Sequence, residues 1–454
     1  MFETLKNAFK VKEIRIKIWI TLALILVYRI GCYIPVPGVA GIWQNSLSSD
    51  NGLSYLNIMS MMTGGALQYG SLFAMGIGPY INASIIMQLL AVAIPYLENL
   101  SKQGEEGRKK ISQYTRYLTL LLAIVQSVGI LISYRTQFAP TEWDPASTTY
   151  MPLNYILGYN ALGGFANFLA YLVVITIFTG GTCITMWIGE RITDYGVSNG
   201  ISLIIFAGII ATAGQALISL IRNWATSGFE PSHFWTLVIY LIAIVVVFGL
   251  IVWVDLAERK IPVQYAKQVK GRKMYGGQTT SIPIKINANG VMPLIFSFSI
   301  LSFPELIMNM FWPTSGAYMW WRTWLGSTSP YPFYTIILCV LIVFFAYFYS
   351  QIQFNPDDIS KSIQQNGGFI PGIRPGKPTA DYLRKISNRI TLFGAIFLAV
   401  IALVPSLVFN AIATTSGSGV FSATGLLIVV SVALEFNQQL EAQIMMKNYK
   451  GFLK

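Results

Sequence analysis

The chain has 454 residues, 54% of them hydrophobic and only 11% charged, a balance that excludes an ordinary soluble globular protein. Its net charge of +12 would suit nucleic acid, but the excess gathers in a few loops between apolar runs, where it first reports membrane orientation. Three cysteines in apolar runs and one histidine, His233, in a loop leave neither a disulfide framework nor a Cys/His metal site.

Residues 1–17 are basic and place Phe2, Leu5 and Phe9 on one face of a short helix, the pattern of a helix lying on a membrane surface. The apolar run after Arg15 and Lys17 has no small-residue cleavage site, so it reads as a retained span rather than a signal peptide. Crossing roughly 30 Å of hydrocarbon takes about 20 mainly apolar residues. Ten stretches fit, near 18–34, 73–95, 116–133, 165–188, 201–221, 235–254, 290–312, 333–353, 390–409 and 420–436.

Five spans occupy 18–221 and five occupy 235–440, joined by a short outside loop at 222–234 and followed by a cytoplasmic tail at 441–454. An odd number per half inverts the second half relative to the first, an arrangement that membrane channels and transporters use with their pathway at the interface. No sequence repeat is visible, so the symmetry rests on the count. With the N-terminus in the cytoplasm, every Lys and Arg except Arg29, Arg135, Arg222 and Arg322 falls on an inside segment. The positive-inside rule then places both termini in the cytoplasm.

Between spans one and two, the run from Leu56 to Met62 is apolar and helical but far too short to cross, and Gly64-Gly65 stop it. Exposed to lipid, such a piece would leave backbone groups unsatisfied, so it must fold back into protein. The expectation is a re-entrant plug over 54–72. Span two then opens with Gly76, Gly78 and Pro79, residues poorly suited to a helix interior.

Two inside loops exceed what topology requires. In 255–289, Ile261, Val263 and Tyr265 alternate, as do Ile282, Ile284 and Ile286, around a tip at Lys270-Gly271-Arg272-Lys273: a strand-turn-strand protrusion. In 354–389, Gly and Pro residues stiffen a loop between two short polar helical pieces. From composition alone, docking of a cytosolic partner and a merely solvated loop weigh evenly.

Catalytic groups are missing. "GIRPGKPT" at 372–379 lacks the first Gly of a phosphate loop, and Pro378 stands where Ser or Thr belongs. With one external histidine there is no Ser/His/Asp or Cys/His pairing. Glu190, Arg191, Asp255 and Glu258 sit at cytoplasmic span ends, Glu435 lies toward that side and Glu305 toward the other. The uncharged midplane argues against an ion-coupled relay. No enzyme and no cofactor is expected. A solute transporter would explain the spans and broken helices, but not the long basic loops.

The stretches "GGALQYGSLFAMGIGPYINASIIMQLL", "GEEGRKKISQYTRYLTL", "MWIGERITDYGVSNGISLIIFAGI" and "FIPGIRPGKPTADYL" resemble, nearly word for word, signatures of the bacterial SecY family of protein-conducting channels. The resemblance runs from the first span to the last. It implies an all-α polytopic fold of ten transmembrane helices, in two inverted five-helix halves that form an hourglass pore with a re-entrant plug helix. It implies a channel in the bacterial plasma membrane that passes unfolded secretory polypeptides and releases hydrophobic segments into lipid through a gate between spans two and three and spans seven and eight. Its partners would be SecE, SecG, the SecA ATPase, the translating ribosome and precursors with signal sequences. Matched motif to motif, Ile77, Ile81, Ile205, Ile295 and Ile428 would form the pore ring and Gly64 and Gly65 the plug hinge. Arg374, with Lys270, Arg272 and Lys273, would dock SecA or ribosomal RNA.

Overall fold

A computed structural model of the chain describes residues 2–37, 54–133, 164–226, 231–265, 268–270, 273–275, 279–287, 290, 292–312, 315–326, 333–416 and 423–451. Each of the ten expected spans is occupied by a helix. After α1 (Phe2–Lys10) come α2 (Lys12–Gly31), the short α3 (Ser54–Thr63), α4 (Gly78–Ala93), α5 (Pro95–Lys102), α6 (Glu105–Ser133), α7 (Gly164–Tyr195), α8 (Gly200–Thr226) and α9 (Pro231–Asp255). Strands β1 (Glu258–Tyr265), β2 (Gln268–Lys270), β3 (Lys273–Tyr275) and β4 (Thr279–Lys285) follow. Then come α10 (Met292–Phe311), α11 (Gly316–Leu325), α12 (Phe333–Gln353), α13 (Pro356–Gln365), β5 (Gly368–Phe369), α14 (Lys377–Ser416) and α15 (Ala423–Gly451). Six described helices are by themselves long and apolar enough to cross a membrane, and the bent pair α4 and α5 adds a seventh candidate.

Span two is shorter than the 73–95 the sequence indicates. Residues up to Ile77 form turns, and Pro79 occupies the first turn of α4, where its missing N–H costs nothing. At the other end Ile94 is extended (φ −107°, ψ 116°), the conformation a following proline imposes. The chain consequently turns by 101° into α5. Span nine is longer than expected. The polar piece thought to precede it is continuous with it in α14 (40 residues), because nothing between Pro378 and the apolar run breaks a helix. The tail expected at 441–454 is likewise helical up to Gly451, as the end of α15.

Two compact units emerge, the first comprising Met1–Arg222, Ser299–Tyr334 and Val432–Lys454, the second Asn223–Phe298 and Thr335–Ser431. In the first, the re-entrant segment belongs to the core: Val36, Met59, Leu67, Ala74 and Met75 pack with Ile130 and Leu131 of α6 and Val174 and Phe178 of α7. Close approach needs small residues here, since a side chain on Gly181 would overlap the Leu72 carbonyl and one on Gly208 the Met62 carbonyl. Helix α1 packs through one face on the rest of the first unit. Ala8 is buried against Ile14, Ile18, Val197 and Leu440, and Thr4 Oγ1 donates to Glu441 Oε1 at 3.0 Å. Phe9 remains exposed.

In the second unit the two long loops form one body. Strands β1 and β4 pair antiparallel, with Ile261 opposite Ile282 and Arg259 opposite Ile284. The other edge of β1 takes β5 from the later loop, Gln264 facing Phe369. Beneath the sheet, Ile261, Val263 and Ile284 bury against Ile363 of α13, Ile370, and Leu383 and Ile386 of α14.

Candidate functional site

The stop at Gly64-Gly65 is built by backbone geometry. Gly64 and Gly65 have φ of +71° and +85°, a region costly for any residue with a Cβ. Gly65 N donates to Ser60 O (2.8 Å) and Gly64 N to Met61 O (3.2 Å), the paired bonds of a Schellman helix stop. Downstream, Gly76 has φ +50°, its carbonyl accepts from Thr185 Oγ1 of α7 at 3.0 Å, and a side chain on it would overlap the Thr63 methyl. The short helix therefore ends abruptly and is carried back into the helices that follow.

The proposed ring residues share a location within their helices. Ile77 caps α4 and its carbonyl accepts from Ile81 N at 3.0 Å; Ile205, Ile295 and Ile428 stand in the first two turns of α8, α10 and α15. Ile77, Ile205 and Ile428 are buried, and Ile81 and Ile295 half-buried. The first three in sequence lie in the first unit, and Ile295 and Ile428 in the second.

Within the first unit, a polar cavity of about 680 Å³ is lined by Tyr80, Ser112, Arg116, Glu190, Asn199 and Glu435, among others. Arg116 Nε donates to Glu190 Oε1 at 2.8 Å, so the charged span ends neutralise one another at its wall.

Arg374 is exposed on a loop held from several sides. Gly372 and Gly376 adopt φ of +81° and +97°. Thr379 Oγ1 donates to Arg374 O at 2.8 Å, and Ser360 Oγ of α13 to Gly376 O at 2.7 Å. With its backbone tied, the side chain presents a guanidinium without the entropy cost of ordering a mobile loop. Lys270 and Lys273 face each other across the β2–β3 register, while Arg272 lies outside the described residues. The β1–β5 pairing joins the two long loops, 255–289 and 354–389, a link that no local pattern announces.

Sequence reasoning also missed a polar clasp. Asp255, the last residue of α9, accepts from Asn287 Nδ2 (2.7 Å) and Ser431 Oγ (2.6 Å). One carboxylate thereby ties the end of span six, the exit of β4 and the helix that carries Ile428. Only its position at a span end was visible in sequence.

The family model described as SecY matches residues 71–437. Among curated proteins, the chain is 39% identical over 463 residues to the protein translocase subunit SecY of Streptomyces galbus, covering all of both chains. It is 38% identical to that of Thermotoga maritima, covering 100% of this chain and 98% of the relative. Among solved structures it resembles one described as the structure of a protein conducting channel, with TM-score 0.62 and 21% identity over 94% of this chain and 91% of that one. A second, described as Sec61 in a canine ribosome-channel complex, gives TM-score 0.60 and 20% identity with the same coverage.

Proposed function

This chain belongs to the SecY family, and from that premise we infer that it is the channel subunit through which unfolded secretory polypeptides cross the bacterial plasma membrane. It is a multi-pass membrane protein and not an enzyme; a partner ATPase or the ribosome supplies the driving force. SecE and SecG complete the translocase, SecA and the translating ribosome deliver the client, and precursors with signal sequences are what it carries.

The observation that carries this reading is full-length identity of about 40% to translocase subunits. A helix too short to cross, stopped by two left-handed glycines and seated through Met59 in a core shared with two long apolar helices, supports it. In this reading α3 and the turns after it plug an hourglass pore between the inverted halves, and Ile77, Ile81, Ile205, Ile295 and Ile428 meet as its waist. An apolar constriction excludes ions by stripping their water and by dewetting, yet offers a sliding chain nothing to adhere to. Arg374 and the β2–β3 tip receive the motor or ribosomal RNA, where a fork of donors engages carboxylate or phosphate. Hydrophobic client segments leave sideways between span two and span seven. The test is reconstitution with SecE and SecA in vesicles: a secretory precursor should cross with ATP, and its failure to cross would remove this reading.

A further inference from the structure

Arg29 is a charge that this account does not use. Along α2 the charged residues Lys12, Glu13, Arg15 and Lys17 crowd the first turns, and none follows until Arg29 in the last turn. A cation at the end of a membrane helix opposite its basic end departs from the positive-inside pattern, and its partner is worth naming. The partner is the re-entrant helix. Arg29 Nη1 donates to Thr63 O at 3.4 Å, the terminal carbonyl of α3. The bonds from Gly64 and Gly65 already satisfy the carbonyls of Met61 and Ser60. Of the remaining orphan acceptors at this helix C-terminus, Thr63 O is the one that meets Arg29, where a cation also faces the negative end of the helix dipole.

The guanidinium is held on its other side. Its Nη2 donates to Tyr33 Oη at 3.3 Å, and its carbon lies 5.4 Å from the centroid of the Tyr33 ring. That ring packs at 6.0 Å against Tyr69, which lies beyond the glycine hinge. Arg29 and Tyr33 therefore bracket both sides of the hinge. The space is reserved as well, since a side chain on Gly64 would overlap Arg29 Nη1.

We propose that Arg29 is the latch of the re-entrant helix, a positioning residue that holds α3 in its seated position by capping its last carbonyl. The inference rests on the channel reading, in which unseating α3 is part of opening. The distinguishing experiment uses the full channel with its small partner subunits. Idle conductance is recorded in planar bilayers, and amide hydrogen exchange is followed at residues 60–65 and along α6 and α7. Arg29→Gln should raise idle opening and exchange at 60–65 by about tenfold, the factor that one charge-assisted hydrogen bond represents at the low end of its range, while α6 and α7 keep their protection. Arg29→Lys, which retains one charged donor but loses the planar fork, should fall between. If Arg29→Gln also loosens α6 and α7, Tyr33→Phe decides by the same two readouts, because it removes the hydroxyl that receives Arg29 Nη2 and leaves the hinge backbone untouched. Unchanged conductance and exchange in the deciding variant would overturn the latch. Wild-type precursor transport in the same vesicles would show that the channel reading survives that failure; its absence would indict the reading itself.

Discussion

Arg374 shows what a single residue can do when its backbone is fixed. Thr379 and the left-handed glycines on either side hold the loop, so reversing the charge changes what is presented without changing how. Arg374→Glu should block SecA- and ribosome-driven translocation while leaving expression and SecE binding intact, as measured by precursor import and co-purification; normal export would remove the loop from the mechanism. At the proposed waist the chemistry is reversed, because value lies in having no polar group. Ile81 is half-buried one turn into α4, so Ile81→Gly should leave the fold largely intact and raise idle ion conductance, and a charged residue there should hydrate the constriction and leak more. Combining Ile→Gly changes at several ring positions with deletion of α3 should leak most, and less once a client fills the pore. Unchanged bilayer conductance in the combined variant would place the seal elsewhere.

At the scale of elements, the three-stranded sheet depends on burial beneath it rather than on its tip. Leu383 is fully buried under β1 and β4, so Leu383→Ala should cost about 2–5 kcal/mol of local stability. Limited proteolysis should then cut the 255–289 loop sooner and SecA binding should weaken, with idle conductance unchanged. Much of this architecture was readable in the residues. Twenty apolar residues announce a span by length alone, and the alternation of Ile261, Val263 and Tyr265 announces a strand. The stop at Gly64-Gly65 was legible because only glycine tolerates that geometry cheaply. What was not legible is long-range or set by solvent. Gly368-Phe369 is too short to carry a pattern, and its pairing with Gln264 and Tyr265 spans a hundred residues. The polar start of α14 looked separate because hydropathy changes where the membrane begins, although the backbone does not. The break at Ile94 did have a signal in Pro95, which an apolar window hides. Arg29 could be flagged as misplaced, but the carbonyl it caps could not be read from sequence.

For the molecule as a whole, the lack of a nucleotide motif and the family together predict a passive conduit. The purified chain, free of SecA, should show no saturable ATPase activity, and any such activity would count against the reading. Lateral exit lets each client segment partition by its own transfer free energy, of the order of −0.5 kcal/mol per Leu and +3 kcal/mol for a central Arg. Cysteines at Ser84 in α4 and Ser297 in α10, crosslinked across the proposed gate, should stop signal-peptide insertion; export through a locked pair would refute exit by that route. The unbroken run from Lys377 to Leu403 carries a mechanical meaning of its own. At 1.5 Å per residue its 27 residues form a rod about 40 Å long, and the Arg374 loop is bolted to its tip through Thr379. A motor that leans on that loop grips the handle of a stiff lever rather than a slack tether. A small tilt imposed outside the bilayer is then delivered, undamped, as displacement deep within it.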